Sequence, residues 1–266
     1  MRPCSRGVDA PRFGSLVDET VSLIRPSYGR ARSLERLRVT LARMPVSREL
    51  RMMFVHIPKC GGSSIERAFG MHGDYRVEDR EHLYGRAMSE DLRSIAGSTN
   101  YLQHLDVVRL RRALVVSGIS QSDLARFRTF AFVRNPFDRL VSAWAGGDPD
   151  LRACALEAGI DLRGLSFSRF VDATISLDHP HVAPQTPFIC APDGALRVDF
   201  VGRFERLADD FGRLCDQFGL ALAARPKLPH AHRSHHPRYQ ELFDVRSRTL
   251  AMRRYREDLA VLGYDY

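Results

Sequence analysis

Short apolar runs that alternate with helical patterns organise most of this chain. Residues 51–57, 129–133 and 198–201 are mainly apolar runs of strand length, which is typical of strands buried on both faces of a sheet. Apolar residues recur at helical spacing over residues 106–114, 137–145, 167–177, 205–218 and 245–262. Strands that alternate with helices in this way predict an α/β fold with a central, mainly parallel sheet flanked by helices.

The polar and proline-rich stretches predict loops and a terminal extension. Loops, the first of them with short helices, are expected over residues 71–100, 146–164, 179–192 and 225–238. Residues 1–48 are expected to form a basic, partly helical N-terminal extension, with a short amphipathic helix over residues 33–44. The apolar face of that helix is small, which disfavours binding to a membrane surface, but a peripheral membrane contact stays open. Residues 49–266 are expected to form one domain.

The composition limits the classes of ligand and the cellular compartment that we expect for this chain. The net charge of +8 favours anionic ligands, among them nucleic acids, phosphate- or sulfate-bearing molecules and acidic polymers. The five cysteines are scattered without a CxxC pair, which disfavours a zinc knuckle, and their odd number fits a reducing compartment better than a disulfide framework. No apolar run is long enough for a transmembrane helix and no secretory signal is visible, so we expect a soluble, cytoplasmic protein. The oligomeric state is left open.

The segment after the first predicted strand carries candidate anion-binding chemistry. A strand, a turn with Gly61 and Gly62, and a helix follow one another, as in phosphate-binding loops. Lys59 adds a mobile positive charge, and it is one of only two lysines among 40 basic residues. No GxxxxGK[ST] or GxGxxG pattern occupies this loop, which disfavours ordinary ATPases, GTPases and nicotinamide dehydrogenases.

Four segments resemble the carbohydrate sulfotransferases of the membrane type and their bacterial relatives, sulfotransferase family 2. HIPKCGGSS at residues 56–64 resembles that family's loop for the 5′-phosphosulfate, and FVRNPFDRLVSAW at 132–144 resembles its 3′-phosphate motif. DFVGRFE at 199–205 and the tail at 254–264 also resemble family segments, in the same order. The resemblance covers about residues 51–266. The chain departs from it at Cys60 and Ser63, where the family usually has threonine.

The resemblance implies a P-loop-like, three-layer fold and a sulfotransferase domain over residues 49–266. It also implies that 3′-phosphoadenosine 5′-phosphosulfate (PAPS) donates a sulfuryl group, without a required metal, to a hydroxyl of a carbohydrate or glycoconjugate. The residues it implies for binding this donor are Lys59, Cys60, Gly61, Gly62, Ser63, Ser64, Arg134, Ser142, Arg233 and Ser234. Lys59 is also expected to be catalytic, acting on the bridging oxygen and the leaving phosphate.

The general base and the acceptor contacts are less sharply defined by the resemblance. His104 lies between the two phosphate motifs, where the family places a catalytic histidine, and its usual pKa suits a base at neutral pH. Glu66 is the alternative base, because related sulfotransferases use a glutamate. His181 and Gln185 belong to a segment that resembles the family's HxxPQ sequence, so we expect them near the acceptor.

Two other protein classes stay open at this point. A P-loop kinase that uses ATP would need a carboxylate to hold a metal ion, but the second predicted strand ends in Arg134-Asn135-Pro136 without an acidic cluster. A nucleic-acid-binding protein would account for the net charge, but the charge is dispersed and no recognised reading module appears. The histidines within residues 230–236 lack a carboxylate or cysteine that would complete a metal site.

Overall fold

The computed structural model describes residues 44–71, 90–96, 102–220, 226–229 and 237–266. The helix predicted over residues 33–44 lies outside this part, apart from Met44, and so do Arg233 and Ser234.

A four-stranded sheet forms the centre of the described chain. Its strands are β1 (Val46–Ser47), β2 (Met52–Val55), β3 (Arg128–Val133) and β4 (Phe200–Arg203), in the spatial order β1-β2-β3-β4. β1 is antiparallel to β2, whereas β2, β3 and β4 run parallel, with Val55 beside Ala131 and Phe132 beside Gly202. β2 lies within the predicted run 51–57 and β3 begins one residue before the run 129–133, whereas β4 begins and ends two residues later than the predicted 198–201. β1 has only two residues, which is too short for a hydropathy pattern to reveal.

Twelve α-helices and one 3₁₀ turn accompany the sheet in the described residues. The helices are α1 (Gly62–Ala68), α2 (Glu90–Ala96), α3 (Val107–Val116), α4 (Gln121–Leu124), α5 (Pro136–Gly146), α6 (Pro149–Glu157), α7 (Phe167–Thr174), α8 (Thr186–Ile189), α9 (Leu207–Gln217), α10 (Tyr239–Leu242), α11 (Val245–Arg254) and α12 (Arg256–Leu262). The 3₁₀ turn, Phe204–Arg206, joins β4 to α9. The predicted α/β class, with a mainly parallel sheet and flanking helices, is confirmed.

Two local predictions need correction. The loop predicted over residues 146–164 contains α6, which begins because the Asp148 carboxylate accepts from the backbone N–H groups of Asp150 and Leu151. The single helix predicted over residues 245–262 is two helices, since Tyr255 has left the helical conformation between α11 and α12. The apolar period continues through this break because the Tyr255 side chain is itself fully buried.

Parallel strands bring their carboxyl ends to one edge of the sheet. Residues 56–61 follow β2, residues 134–135 follow β3 and the 3₁₀ turn follows β4, so three of the resembling segments meet at this edge. Ligands of α/β folds bind outside this edge. Buried aromatic side chains below it, such as Phe54 stacked on Phe130 at 5.0 Å between ring centroids, make the support rigid.

Candidate active site

The turn after β2 has the backbone geometry of a close anion-binding loop. Gly61 has a φ of 82° and Lys59 a φ of 68°, so both lie in the left-handed region. This conformation is ordinary for glycine but costs a non-glycine residue about 1–2 kcal/mol. A Cβ atom on Gly61 would lie 3.0 Å from Leu207 and 3.1 Å from Phe204, so the turn also packs closely against the chain after β4.

Lys59 is half-buried among charged groups. Burial lowers the pKa of its ammonium, and the positive charges of Arg134 and Arg139 act in the same direction, whereas Asp148 raises it. The Nζ atom lies so near the end of α5 that a Cβ atom on Gly146 would be 2.6 Å from it. The ammonium therefore stands between the phosphate loop and the junction of α5 with α6.

Arg134 connects the second phosphate motif to the first. Its Nη1 atom donates to the carbonyl of Lys59 at 3.1 Å, and its Nε and Nη2 atoms each lie 2.7 Å from the Asp138 carboxylate. The guanidinium also lies over the ring of Phe204, 4.2 Å from its centroid. These contacts hold a buried cation in one orientation beside the glycine turn.

The turn that begins α5 is fixed from the C-terminal part of the chain. The backbone N–H of Asn135 donates to Glu205 Oε1 at 2.6 Å, and its side-chain Nδ2 donates to the carbonyl of Asp265 at 3.0 Å. The hydroxyl of Tyr264 donates to the other oxygen of Glu205 at 3.0 Å. Ser142, which follows on α5, is buried.

Gln185 is buried inside the chain between three segments. Its Oε1 accepts from the backbone N–H of Arg134 at 2.9 Å, and its Nε2 donates to the Arg134 carbonyl at 2.8 Å. The Cys60 thiol lies 3.4 Å from the same Oε1, and burial raises the pKa of that thiol to about 12. The backbone N–H of Gln185 donates to both oxygens of Asp258 at 2.8 Å. The Gln185 side chain therefore connects Cys60 of the first phosphate motif with the backbone of Arg134 in the second.

Arg139 does not pair with the adjacent Asp138. Asp138 pairs with Arg134, and Arg139 is buried with its guanidinium donating to three backbone carbonyls. These belong to Pro58, Ala183 and Pro180, at 2.9, 2.7 and 2.6 Å. Arg139 thereby ties the phosphate loop to residues 180–183.

Four imidazole rings from three separate segments form a continuous row, which we call the histidine row. His56 meets His104 edge to face with ring centroids 4.6 Å apart, and His104 meets His181 at 5.6 Å. His181 stacks on His179 at 5.0 Å. Lys59 lies near His181. Burial is the main cause that lowers the pKa of His181, and the neighbouring His104, His179 and Lys59 lower it further.

His104 occupies the centre of this row. Its Nδ1 lies 3.1 Å from the backbone carbonyl of His56. A carbonyl can only accept, so Nδ1 carries the proton and Nε2 carries the lone pair. Burial, assisted by the positive charge that His56 would carry, lowers the pKa of His104 to about 3. His104 is therefore a neutral imidazole at physiological pH, and its pKa does not have the near-neutral value that the sequence led us to expect.

One ring nitrogen of His181 faces a carboxylate, and the other has no hydrogen-bond partner in the described residues. Its Nε2 lies 3.4 Å from Asp148 Oδ2, while Nδ1 is buried and has no hydrogen-bond partner within the described part of the chain. A cavity of about 440 Å³ lies beside this pair and shares Asp148 with it. Apolar groups, including Trp144, Leu165 and Phe170, form much of its wall, and Arg152 adds a charge.

The structure gathers most residues that the sequence singles out. Lys59, the glycine turn, Arg134, His104, His181 and Gln185 lie around one edge of the sheet, whereas Arg233 and Ser234 lie outside the described residues. Ser63 is exposed and Ser64 is buried at the start of α1. No role was predicted for Asp148 or His179, and Asp258 was indicated only by its place in the tail segment 254–264. Phe204 and Glu205 lie within the DFVGRFE segment, which is the only signal that could have indicated them.

The described residues contain neither a metal-binding cluster nor a membrane-spanning helix. No group of three or more histidine, cysteine, aspartate or glutamate side chains there is arranged to hold a metal ion. None of the helices in these segments is both long and apolar enough to cross a membrane.

Comparison with known proteins connects this geometry to an enzyme family. A profile described as the sulfotransferase family matches residues 42–265, a span that contains the phosphate loop, the Arg134 turn and the histidine row. No curated protein and no solved structure gives a significant match to the chain.

Proposed function

The chain belongs to the sulfotransferase family, and from this premise we propose that it moves a sulfuryl group from PAPS to a hydroxyl of a carbohydrate or glycoconjugate. The enzymes of this family use PAPS as the sulfuryl donor. One observation carries the proposal: Arg134 Nη1 donates to the carbonyl of Lys59, so two phosphate motifs 75 residues apart meet at one place. A donor with phosphate groups at both its 5′ and 3′ positions needs such a pair of cationic sites.

Lys59 is proposed to stabilise the charge that develops on the leaving phosphate oxygen. A flexible ammonium can follow that oxygen during transfer, which a guanidinium fixed by its hydrogen bonds cannot do as well. Gly61 and Gly62 let backbone N–H groups approach the 5′-phosphosulfate closely, with Ser63 and Ser64 adding hydroxyls. Sulfuryl transfer thus makes the same demands for positioning and positive charge as phosphoryl transfer.

The 3′-phosphate is assigned to Arg134 and Ser142. Arg134 is already oriented by Asp138 and Phe204, so little side-chain entropy is lost when the phosphate binds. Ser142 lies on α5, which begins two residues after Arg134, as the resembling motif requires. Gln185 bonds both backbone groups of Arg134, and we therefore propose that it positions this arginine rather than contacting the acceptor.

His104 is proposed as the base that removes the proton of the acceptor hydroxyl. It is neutral, its Nε2 carries the lone pair, and it lies between the phosphate loop and His181. The cavity beside Asp148 is proposed to hold the acceptor, since a wall that combines apolar side chains with polar groups suits the face and hydroxyls of a sugar ring.

The proposal is tested by transfer of ³⁵S from labelled PAPS to a panel of p-nitrophenyl glycosides, with 2-naphthol as a non-carbohydrate acceptor. We expect labelled glycosides and no labelled naphthol. Lys59→Ala should lower kcat by at least about 100-fold, because one transition-state charge contact is lost. Lys227→Ala is the matched control, since it removes the only other lysine, which is exposed. Near-wild-type turnover in Lys59→Ala would refute the mechanism, and transfer from [γ-³²P]ATP would favour a kinase.

A further inference from the structure

Glu66 is a buried carboxylate that the proposed reaction does not use. It lies on α1 directly after the phosphate loop and is 2% exposed. A buried carboxylate is costly unless hydrogen-bond donors surround it. Its Oε1 lies 2.6 Å from His56 Nδ1, and Gln103 Nε2 donates to Oε2 at 3.1 Å. One carboxylate therefore holds side chains from two segments that are distant in sequence.

Both of these side chains support His104. Gln103 precedes it in the chain, so its bond to Glu66 fixes the backbone that carries His104. His56 supports it from the other side, because its carbonyl accepts from His104 Nδ1 at 3.1 Å and its ring meets the His104 ring. Displacement of Glu66 would thus move both supports of the proposed base at the same time.

The ring of His56 is enclosed on the remaining sides. It stacks on Phe54 with ring centroids 5.3 Å apart. A Cβ atom on Gly62 would lie only 2.0 Å from His56 Nε2, so the phosphate loop packs directly against this ring. The position of the carbonyl that holds His104 is therefore linked to the position of the loop that holds the donor.

From these contacts we infer that Glu66 is a positioning residue, which fixes the orientation and tautomer of His104 through His56 and Gln103. The Glu66 carboxylate accepts from His56 and Gln103 and is buried, which is unlike a base that must meet an acceptor hydroxyl. This inference rests on the proposed function. It assigns Glu66, which the sequence offers as an alternative base, a different part in the same reaction.

A double-mutant cycle tests the inference. Glu66→Gln is expected to lower kcat by about 10–100-fold. This is the usual loss when a residue that orients a metal-bound histidine is removed, and we expect a similar loss for a histidine base. The dissociation constant for adenosine 3′,5′-bisphosphate should stay within about threefold. In a His104→Ala background, Glu66→Gln should lower kcat no further, because a positioning residue has nothing left to position. Glu157→Gln, which changes an exposed glutamate, is the control.

Three results would overturn the inference: unchanged kcat in Glu66→Gln, an equal loss in both backgrounds, or full activity in His104→Ala with none in Glu66→Gln. If Glu66→Gln does not fold, Gln103→Leu enters the same cycle and decides by the same criteria, with a smaller loss expected.

A readout without turnover separates this inference from the proposed function. ¹⁵N NMR of the His104 ring should show protonation at Nδ1 in the wild type and a mixture of tautomers in Glu66→Gln. The same tautomer in both proteins would refute the role of Glu66, even if the enzyme transfers sulfate. A tautomer change in a protein that transfers no sulfate would refute the proposed function and leave the positioning role standing.

Discussion

The environment of each charged residue in this site depends on the groups that contact it as well as on its own chemistry. Lys59 and Arg134 could be predicted, since each lies in a recognisable motif after a strand. Asp148 could not, because its partner His181 belongs to a segment far away in sequence, and the tail that contains Asp258 did not indicate its contact with Gln185. The left-handed backbone of Lys59 is also invisible in the sequence, since this region normally favours glycine.

At this scale we predict that His104 does not titrate in the usual histidine range. Burial and the neighbouring His56 lower the pKa of His104 to about 3, while Glu66 acts in the opposite direction and His179 in the same one. An unfolded chain would bind this proton near pH 6.5, so His104 destabilises the fold as pH falls below that value. NMR titration of the ring Cε1–H, assigned with His104→Gln, should show no midpoint above pH 5. A midpoint between pH 6 and 7 would contradict this environment.

At the scale of elements, apolar runs reveal buried strands and amphipathic helices well. β2, β3 and β4 and the start of α5 at Pro136 follow from such patterns, since burial on both faces and a proline in the first turn leave clear signals. α6 is hidden because it buries little, chiefly Leu151 and Ala155. α8 is a single turn within a proline-rich stretch, and its role in holding Gln185 is tertiary.

The segment around α8 should therefore affect donor binding. Gln185→Leu leaves the buried N–H and C=O of Arg134 without their partner, and each such loss costs about 1–3 kcal/mol. We expect a lower melting temperature and about tenfold weaker binding of adenosine 3′,5′-bisphosphate by calorimetry. Gln121→Leu, at the exposed start of α4, should change neither. Unchanged nucleotide binding with a raised KM for the acceptor would instead support direct contact between Gln185 and the acceptor.

At the scale of the whole molecule, the order of strands and helices was sufficient to predict the α/β class. The histidine row was not predictable, since its four rings come from three separate segments and meet only when the chain is folded. The net charge of +8 is likewise a poor guide to the ligand. The positive charges that we propose for donor binding are two cations at one sheet edge, Lys59 and Arg134, which the fold brings together.

Recognition of the 3′-phosphate is tested most directly by calorimetric comparison of adenosine 3′,5′-bisphosphate with adenosine 5′-diphosphate, which lacks the 3′-phosphate. We predict that the wild type prefers the 3′-phosphorylated nucleotide by at least about 30-fold, since bonds to a charged group contribute about 1.5–3 kcal/mol each. Arg134→Ala should abolish most of this preference. Equal affinity for the two nucleotides in the wild type, or an unchanged preference in Arg134→Ala, would contradict this prediction.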